Sequence, residues 1–243
     1  MARTLMVVIA LLAGVAARSE GQKIADEQGR REALELFRTG QRFLLAEQFN
    51  KAADAFSKAI VKDGLLTVAH YGLGQAYMNL RRFGDAAKAY GGCIEATRAL
   101  HTLQQTNQFD VEKQRDAEIR ALRTILNDLR GIREPTRLQL EQHLHDLENQ
   151  RTSVGGVFRP PAEVLLALGS AHFKDGSRDA AETEWKAATE LNPKLGEAHN
   201  NLAVVYMTTG RLDEAAREIT LAEKTGYPVN PGLKDELKQK MGR

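Results

Sequence analysis

The residues best spaced for chemistry form one short run, Glu141-Gln142-His143-Leu144-His145-Asp146-Leu147-Glu148. Glu141, His145 and Glu148 stand at i, i+4 and i+7, so a helix would present an imidazole between two carboxylates on one face. That donor set suits a divalent cation. No second cluster with matching spacing offers the remaining ligands, and the run reads equally as the solvated face of an amphipathic helix. His199-Asn200-Asn201 is a second polar run, read as solvated or groove-lining. Cys93 is the sole cysteine, which excludes an intramolecular disulfide, and it reads as a small buried hydrophobe. No phosphate-binding glycine loop, nucleophile elbow or His-Glu-x-x-His motif occurs. We expect a protein that is not an enzyme, with no cofactor and no metal.

Composition says which elements must carry these residues. The chain has 243 residues, with 34 Lys and Arg against 32 Asp and Glu. That near balance argues against a general nucleic-acid binder, which needs a positive field to displace counterions. Aromatic residues are 6% of the chain and there is one Trp, which is thin for a β-sandwich or barrel. The first Pro is Pro135, and the stretch before it is rich in Ala, Leu, Arg, Glu and Gln. Such a stretch reads as helix, so the fold class is all-α.

The N-terminus reads as a targeting segment. Arg3 precedes an apolar run from Thr4 to Ala17 that ends Val15-Ala16-Ala17. This is the three-part plan of a cleavable secretory signal over residues 1–17, with cleavage after Ala17. The run is shorter than the roughly 20 residues of a membrane span, so no stable membrane anchor is expected. The expected location is periplasmic or secreted.

An internal repeat organises the rest. Residues 33–66 and 67–100 align as two 34-residue spans, and residues 162–195 and 196–229 as two more. The eighth, twentieth and twenty-seventh positions are small in every span: Gly40, Ala52 and Ala59; Gly74, Ala86 and Cys93; Gly169, Ala181 and Ala188; Ala203, Ala215 and Ala222. Large residues recur at the twenty-fourth, as Phe56, Tyr90, Trp185 and Ile219. Two antiparallel helices approach closely only where side chains are small, and large ones fill the spaces between pairs.

This pattern resembles the tetratricopeptide repeat family. The resemblance implies an α-solenoid, a right-handed superhelix of helix pairs, built from two repeats over 33–100 and two over 162–229. Residues 18–32 read as a leader into the first helix and 230–243 as a C-terminal capping helix. Residues 101–161 interrupt the repeat. Ile119, Leu122, Leu126 and Leu129 form one apolar stripe, and Leu140, Leu144 and Leu147 another, so this insertion reads as a helical pair. We read it as packed in line with the solenoid; a hairpin projecting outward is the alternative.

The resemblance further implies that the first helix of each repeat lines a concave groove. The fifth positions there are Phe37, Tyr71, Leu166 and Asn200. The ninth are Gln41, Gln75, Ser170 and Val204, and the twelfth are Leu44, Met78, Phe173 and Met207. Such a groove would bind a partner helix or peptide of unknown identity. The expected function is a protein-interaction scaffold in a bacterial envelope. An accessory role in an envelope assembly machine and a metal or enzymatic role for the Glu141, His145, Glu148 face are the alternatives. Coverage of the groove by the insertion, by the leader or by a second copy of the chain would instead make these side chains core.

Overall fold

The structure is a computed structural model, and it describes residues 24–128, 135–149 and 158–242. The signal segment read over 1–17, the first residues of the leader and Leu129 of the first stripe lie outside them. The described residues form helices joined by turns, with no strand. Asp26 caps the first helix, α1 (Glu27–Leu45), its carboxylate accepting from the Gly29 N–H at 2.7 Å. That helix therefore starts within the stretch read as leader. Next come α2 (Phe49–Lys62), α3 (Thr67–Asn79) and α4 (Phe83–Thr106). The insertion supplies α5 (Gln108–Asp128) and α6 (Pro135–Asn149). The remaining helices are α7 (Ala162–Lys174), α8 (Arg178–Leu191), α9 (Gly196–Thr208), α10 (Leu212–Lys224) and α11 (Pro231–Lys240).

The small residues set the pairing. Helices α1 and α2, α3 and α4, α7 and α8, and α9 and α10 are the four hairpins. A Cβ built on Gly40 would stand 2.6 Å from Phe56 Cε1, one on Gly74 2.5 Å from Tyr90 Cε1, and one on Gly169 2.6 Å from Trp185 Nε1. The eighth position thus accepts the ring at the twenty-fourth in three of the four repeats. Cys93 is fully buried at its Ala-like position, and burial pushes its thiol far above the ordinary range. The turn between paired helices is equally regular. Its fifteenth-position residues Glu47, Arg81, Gly176 and Gly210 all have positive φ, from 55° to 89°. Two repeats place glycine at this left-handed position, and two hold a long side chain there.

The insertion does not sit in line. Helix α4 packs directly on α7, so the third repeat stacks on the second. Tyr71, Ala86, Tyr90 and Cys93 form one cluster with Val164, Leu168 and Ala171 across that joint. Helices α5 and α6 fold back over the first two repeats. Ile119, Leu122, Ile125, Leu140 and Leu147 share a core with Phe37, Leu44, Phe56 and Val68. An apolar stripe needs a cover, and the concave face of repeats one and two is the apolar surface within reach. At the other end Asn230 caps α11, which packs on α10 and buries Leu237.

Candidate functional site

The insertion divides the expected groove. Phe37, Gln41, Leu44, Tyr71 and Gln75 are buried, and Met78 is half-buried. In the second half, Leu166, Ser170, Asn200 and Val204 are half-buried on α7 and α9. Phe173 and Met207 turn inward. The Phe173 ring lies 5.6 Å from the Trp185 ring, and Met207 is buried in the core shared by the last two repeats. The twelve positions therefore do not line one continuous groove.

What stays uncovered is a cavity of about 710 Å³ where α6 and the first pair of repeats meet α7 and the turn into α9. Leu44, Tyr71, Gln75, Met78, Leu166 and Ser170 contribute to its wall from the expected set. Leu138 of α6 also lines it and is 58% exposed, one of few large apolar side chains left in water among the described residues. Glu47, Glu163 and Glu197 face it, with Lys194 as the cation. Glu197 is exposed overall, yet the protein atoms around its carboxyl partly desolvate it and raise it above its ordinary range. Leu138 and these carboxylates were not in the sequence-derived set. Leu138 belongs to an insertion helix whose docking no repeat register foretells.

The polar runs resolve differently. Glu141 pairs with Arg137 at 2.8 Å and Glu148 with Arg123 at 2.7 Å, while His145 is exposed. Each carboxylate is engaged by a guanidinium, and the three side chains do not converge. Among the described residues no group of three His, Cys, Asp or Glu could hold a metal ion. His199 is buried. Its Nδ1 lies 2.6 Å from Glu218 Oε2 and its Nε2 3.1 Å from the Pro193 carbonyl, so it pins α9 to α10 and to the preceding turn. His70, at the same repeat position, lies 3.0 Å from the Gly64 carbonyl through Nε2.

The remaining histidine of the run, His143, points inward and joins a buried polar cluster. Thr67 Oγ1 donates to Glu118 Oε2 at 3.0 Å and lies 3.5 Å from His143 Nε2. Gln114 Nε2 donates to Asp63 Oδ2 at 3.4 Å, and Arg115 Nη2 to Gln104 Oε1 at 3.1 Å. Burial, with Asp63 adding to it, pushes Glu118 up to about 8, and burial pushes His143 down to about 4. These shifts fix opposite slopes of stability with pH. The folded state holds the Glu118 proton where the unfolded chain has lost it, so stability falls as pH rises from 4.5 toward 8. His143 must stay neutral, so its effect is a loss as pH falls from 6.5 toward 4. Between pH 6.5 and 8 only the Glu118 effect remains of the two. Chemical-denaturation midpoints should decline across that window, and Glu118→Gln should flatten the decline. An equal decline in the variant would assign it elsewhere. The signal for this cluster was in the sequence: Arg115 and Glu118 interrupt the inward stripe Val111, Leu122, Ile125 at helical spacing.

A family model described as Tetratricopeptide repeat matches residues 31–92 and 166–231, more than half of the chain. No curated protein matches it. Solved structures similar to it include a thermophilic TPR protein of Thermus thermophilus, at 19% identity over 87% of this chain and 100% of that one, TM-score 0.37. PilF of Pseudomonas aeruginosa matches at 15% identity over 88% of this chain and 86% of that one, TM-score 0.36. YrrB, titled a TPR protein with an unusual peptide-binding site, matches at 17% identity over 88% of this chain and 95% of that one, TM-score 0.31.

Proposed function

The chain belongs to the tetratricopeptide repeat family, and from that premise we propose that it is a protein-interaction scaffold whose docking surface is the cavity left open where the two halves of the concave face meet. The observation that carries this reading is the uncovered cavity against α7, with Leu138 exposed at its edge beside Leu166 and Met78. A partner helix or extended segment with apolar anchors would remove these side chains from water. The carboxylates of Glu47, Glu163 and Glu197 favour a partner that carries a basic residue beside its apolar ones.

Leu166→Glu tests the reading. Leu166 is half-buried at the cavity wall, so the new carboxylate keeps contact with water and the fold should hold. Partner binding should weaken by about 2 kcal/mol or more, as at a central hot spot. The readout is photocrosslinking from Ser170 in the native host, with and without Leu166→Glu, and from exposed Phe109 as a control position. A discrete adduct from Ser170 that disappears with Leu166→Glu supports the groove. Identical adducts with and without the substitution would move docking elsewhere.

We propose further that the protein works outside the cytoplasm, in a bacterial envelope. The support is the sequence of residues 1–17, with Arg3, the apolar run and Val15-Ala16-Ala17. Mass spectrometry of the exported protein should find Arg18 as the first residue. An intact Met1 on exported material would overturn the cleavage.

A further inference from the structure

A second cavity, about 700 Å³, lies where the insertion meets the joint between the repeat pairs. It touches the groove only at Glu163, which lines both. One wall is apolar, from Leu100, Val111, Leu147, Phe158, Pro160 and Pro161. Phe158 is held there by a T-shaped contact with His101 at 5.8 Å and by the Arg98 guanidinium 5.2 Å over its ring. The other wall is polar, from Thr67, Gln104, Arg115, Glu118 and His143. Glu118 is 1% exposed and Gln104 7%. Among the described residues, Glu118 Oε1 and Gln104 Nε2 have no hydrogen-bond partner. A buried carboxyl oxygen and a buried amide donor left without partners cost stability, and together they specify what would relieve that cost. The carboxyl takes a cationic donor. The amide N–H takes an acceptor.

We propose that this cavity binds a small molecule presenting an α-ammonium group beside a carbonyl on an apolar body. An apolar amino acid and the N-terminus of a short apolar peptide share that chemistry. The ammonium sits against Glu118, the carbonyl or carboxylate oxygen accepts from Gln104, and the apolar body lies against Leu100, Leu147 and Phe158. Arg115 already donates to Gln104 Oε1, which turns the amide so that Nε2 is the donor left over. The size is that of a ligand pocket, which runs to about 300–1,000 Å³, and it leaves room for either an amino acid or a short peptide end. The charged and titratable groups facing Glu118 are Asp63 from the α2–α3 turn, Cys93 from α4, Arg115 from its own helix and His143 from α6. None of them bonds Glu118 Oε1.

Isothermal titration of the purified chain tests this with four probes: leucine, leucinamide, Leu-Leu and N-acetyl-leucine. The first three carry the ammonium and the last does not. Saturable binding of any of the first three, with N-acetyl-leucine at least tenfold weaker, is the expected result. Leucine tighter than Leu-Leu identifies a free amino acid, and the reverse identifies a peptide N-terminus. Because Glu118 is raised to about 8, an arriving ammonium expels its proton at pH 7. The measured heat should therefore vary with the ionisation enthalpy of the buffer. Glu118→Gln should weaken binding tenfold or more and remove the buffer dependence. Leu100→Trp fills the cavity from its half-buried rim without touching Glu118, and it should also remove binding. No saturable heat with any probe at up to about 10 mM, where millimolar binding still registers, would overturn the proposal. So would equal binding of N-acetyl-leucine, or unchanged binding by Glu118→Gln. Leu166 lines the groove and not this cavity, so failure here leaves the scaffold reading intact, and failure there leaves this one.

Discussion

Gly74→Leu should cost about 3 kcal/mol or more in chemical denaturation, at or beyond the upper end of overpacking effects. The first added carbon alone would stand 2.5 Å from Tyr90 Cε1 and 2.7 Å from its Cδ1 and Cζ. Tyr90 cannot withdraw, because it is 3% exposed and its ring packs on Tyr71 at 5.4 Å. Helices α3 and α4 must then separate, and the joint between the repeat pairs, which uses Tyr71 and Tyr90, must follow. Gly91 supplies the control on the same hairpin. Among the described residues nothing lies within 4 Å of a Cβ built there, so Gly91→Ala should raise stability by up to about 1 kcal/mol through helix propensity. Equal losses from the two changes would refute the packing described for this hairpin.

The other large effect separates the two halves of the concave face. Tyr71→Glu should destabilise the fold by about 3–5 kcal/mol, or neutralise its new carboxyl at a similar cost. Tyr71 is 8% exposed, with the His143 ring 6.1 Å away and Tyr90 on its other side, and neither ring contact supplies a cation. Leu166→Glu, at the same fifth position in the next repeat, should cost markedly less, because half-buried Leu166 reaches the open cavity although it also packs on the cores around it. Parallel thermal melts give the comparison. A large loss in both would mean that the second half is covered as well, and would remove the groove from consideration.

The fold could be read from spacing because one physical demand recurs. Gly40, Gly74 and Gly169 each make room for a ring sixteen residues later, and no other residue leaves that space. The insertion was less legible. Ile119, Leu122 and Leu126 announce a helix with one buried face, yet a stripe of leucine and isoleucine carries no record of what it meets. In-line packing and folding back bury the same side chains. Only the backbone places α4 on α7 and sends α5 and α6 across the first two repeats. The same event converted Phe37, Gln41 and Leu44 from expected groove residues into core. Glu118 and Gln114 were the available warning, since charged and amide residues on an inward stripe need buried partners. The run from Glu141 to Glu148 misled in the other direction. Its regular spacing reflects a wet helix face, and its buried histidine, His143, falls between the spaced positions and on the side of Leu147.

The insertion also changes how the molecule comes apart. In a simple repeat array each unit touches only its neighbours, so unfolding spreads from the ends like a zipper. Here α5 and α6 tie Phe37 of the first repeat to Leu122 and Leu140, and an ion pair joins Lys113 to Glu27 across 86 positions of chain. These are non-local links, and they couple units that a plain solenoid would leave independent. The first half is therefore expected to open as a block, with slow formation and high amide protection in hydrogen exchange. The last two repeats keep the one-dimensional plan, held by α11 at one end and by the α4–α7 joint at the other. One chain thus contains a cooperative anchor followed by a segment that should loosen repeat by repeat, and the surface left open for a partner lies where the two meet, with Leu44, Tyr71 and Leu138 on the anchor side and Leu166 and Ser170 on the other.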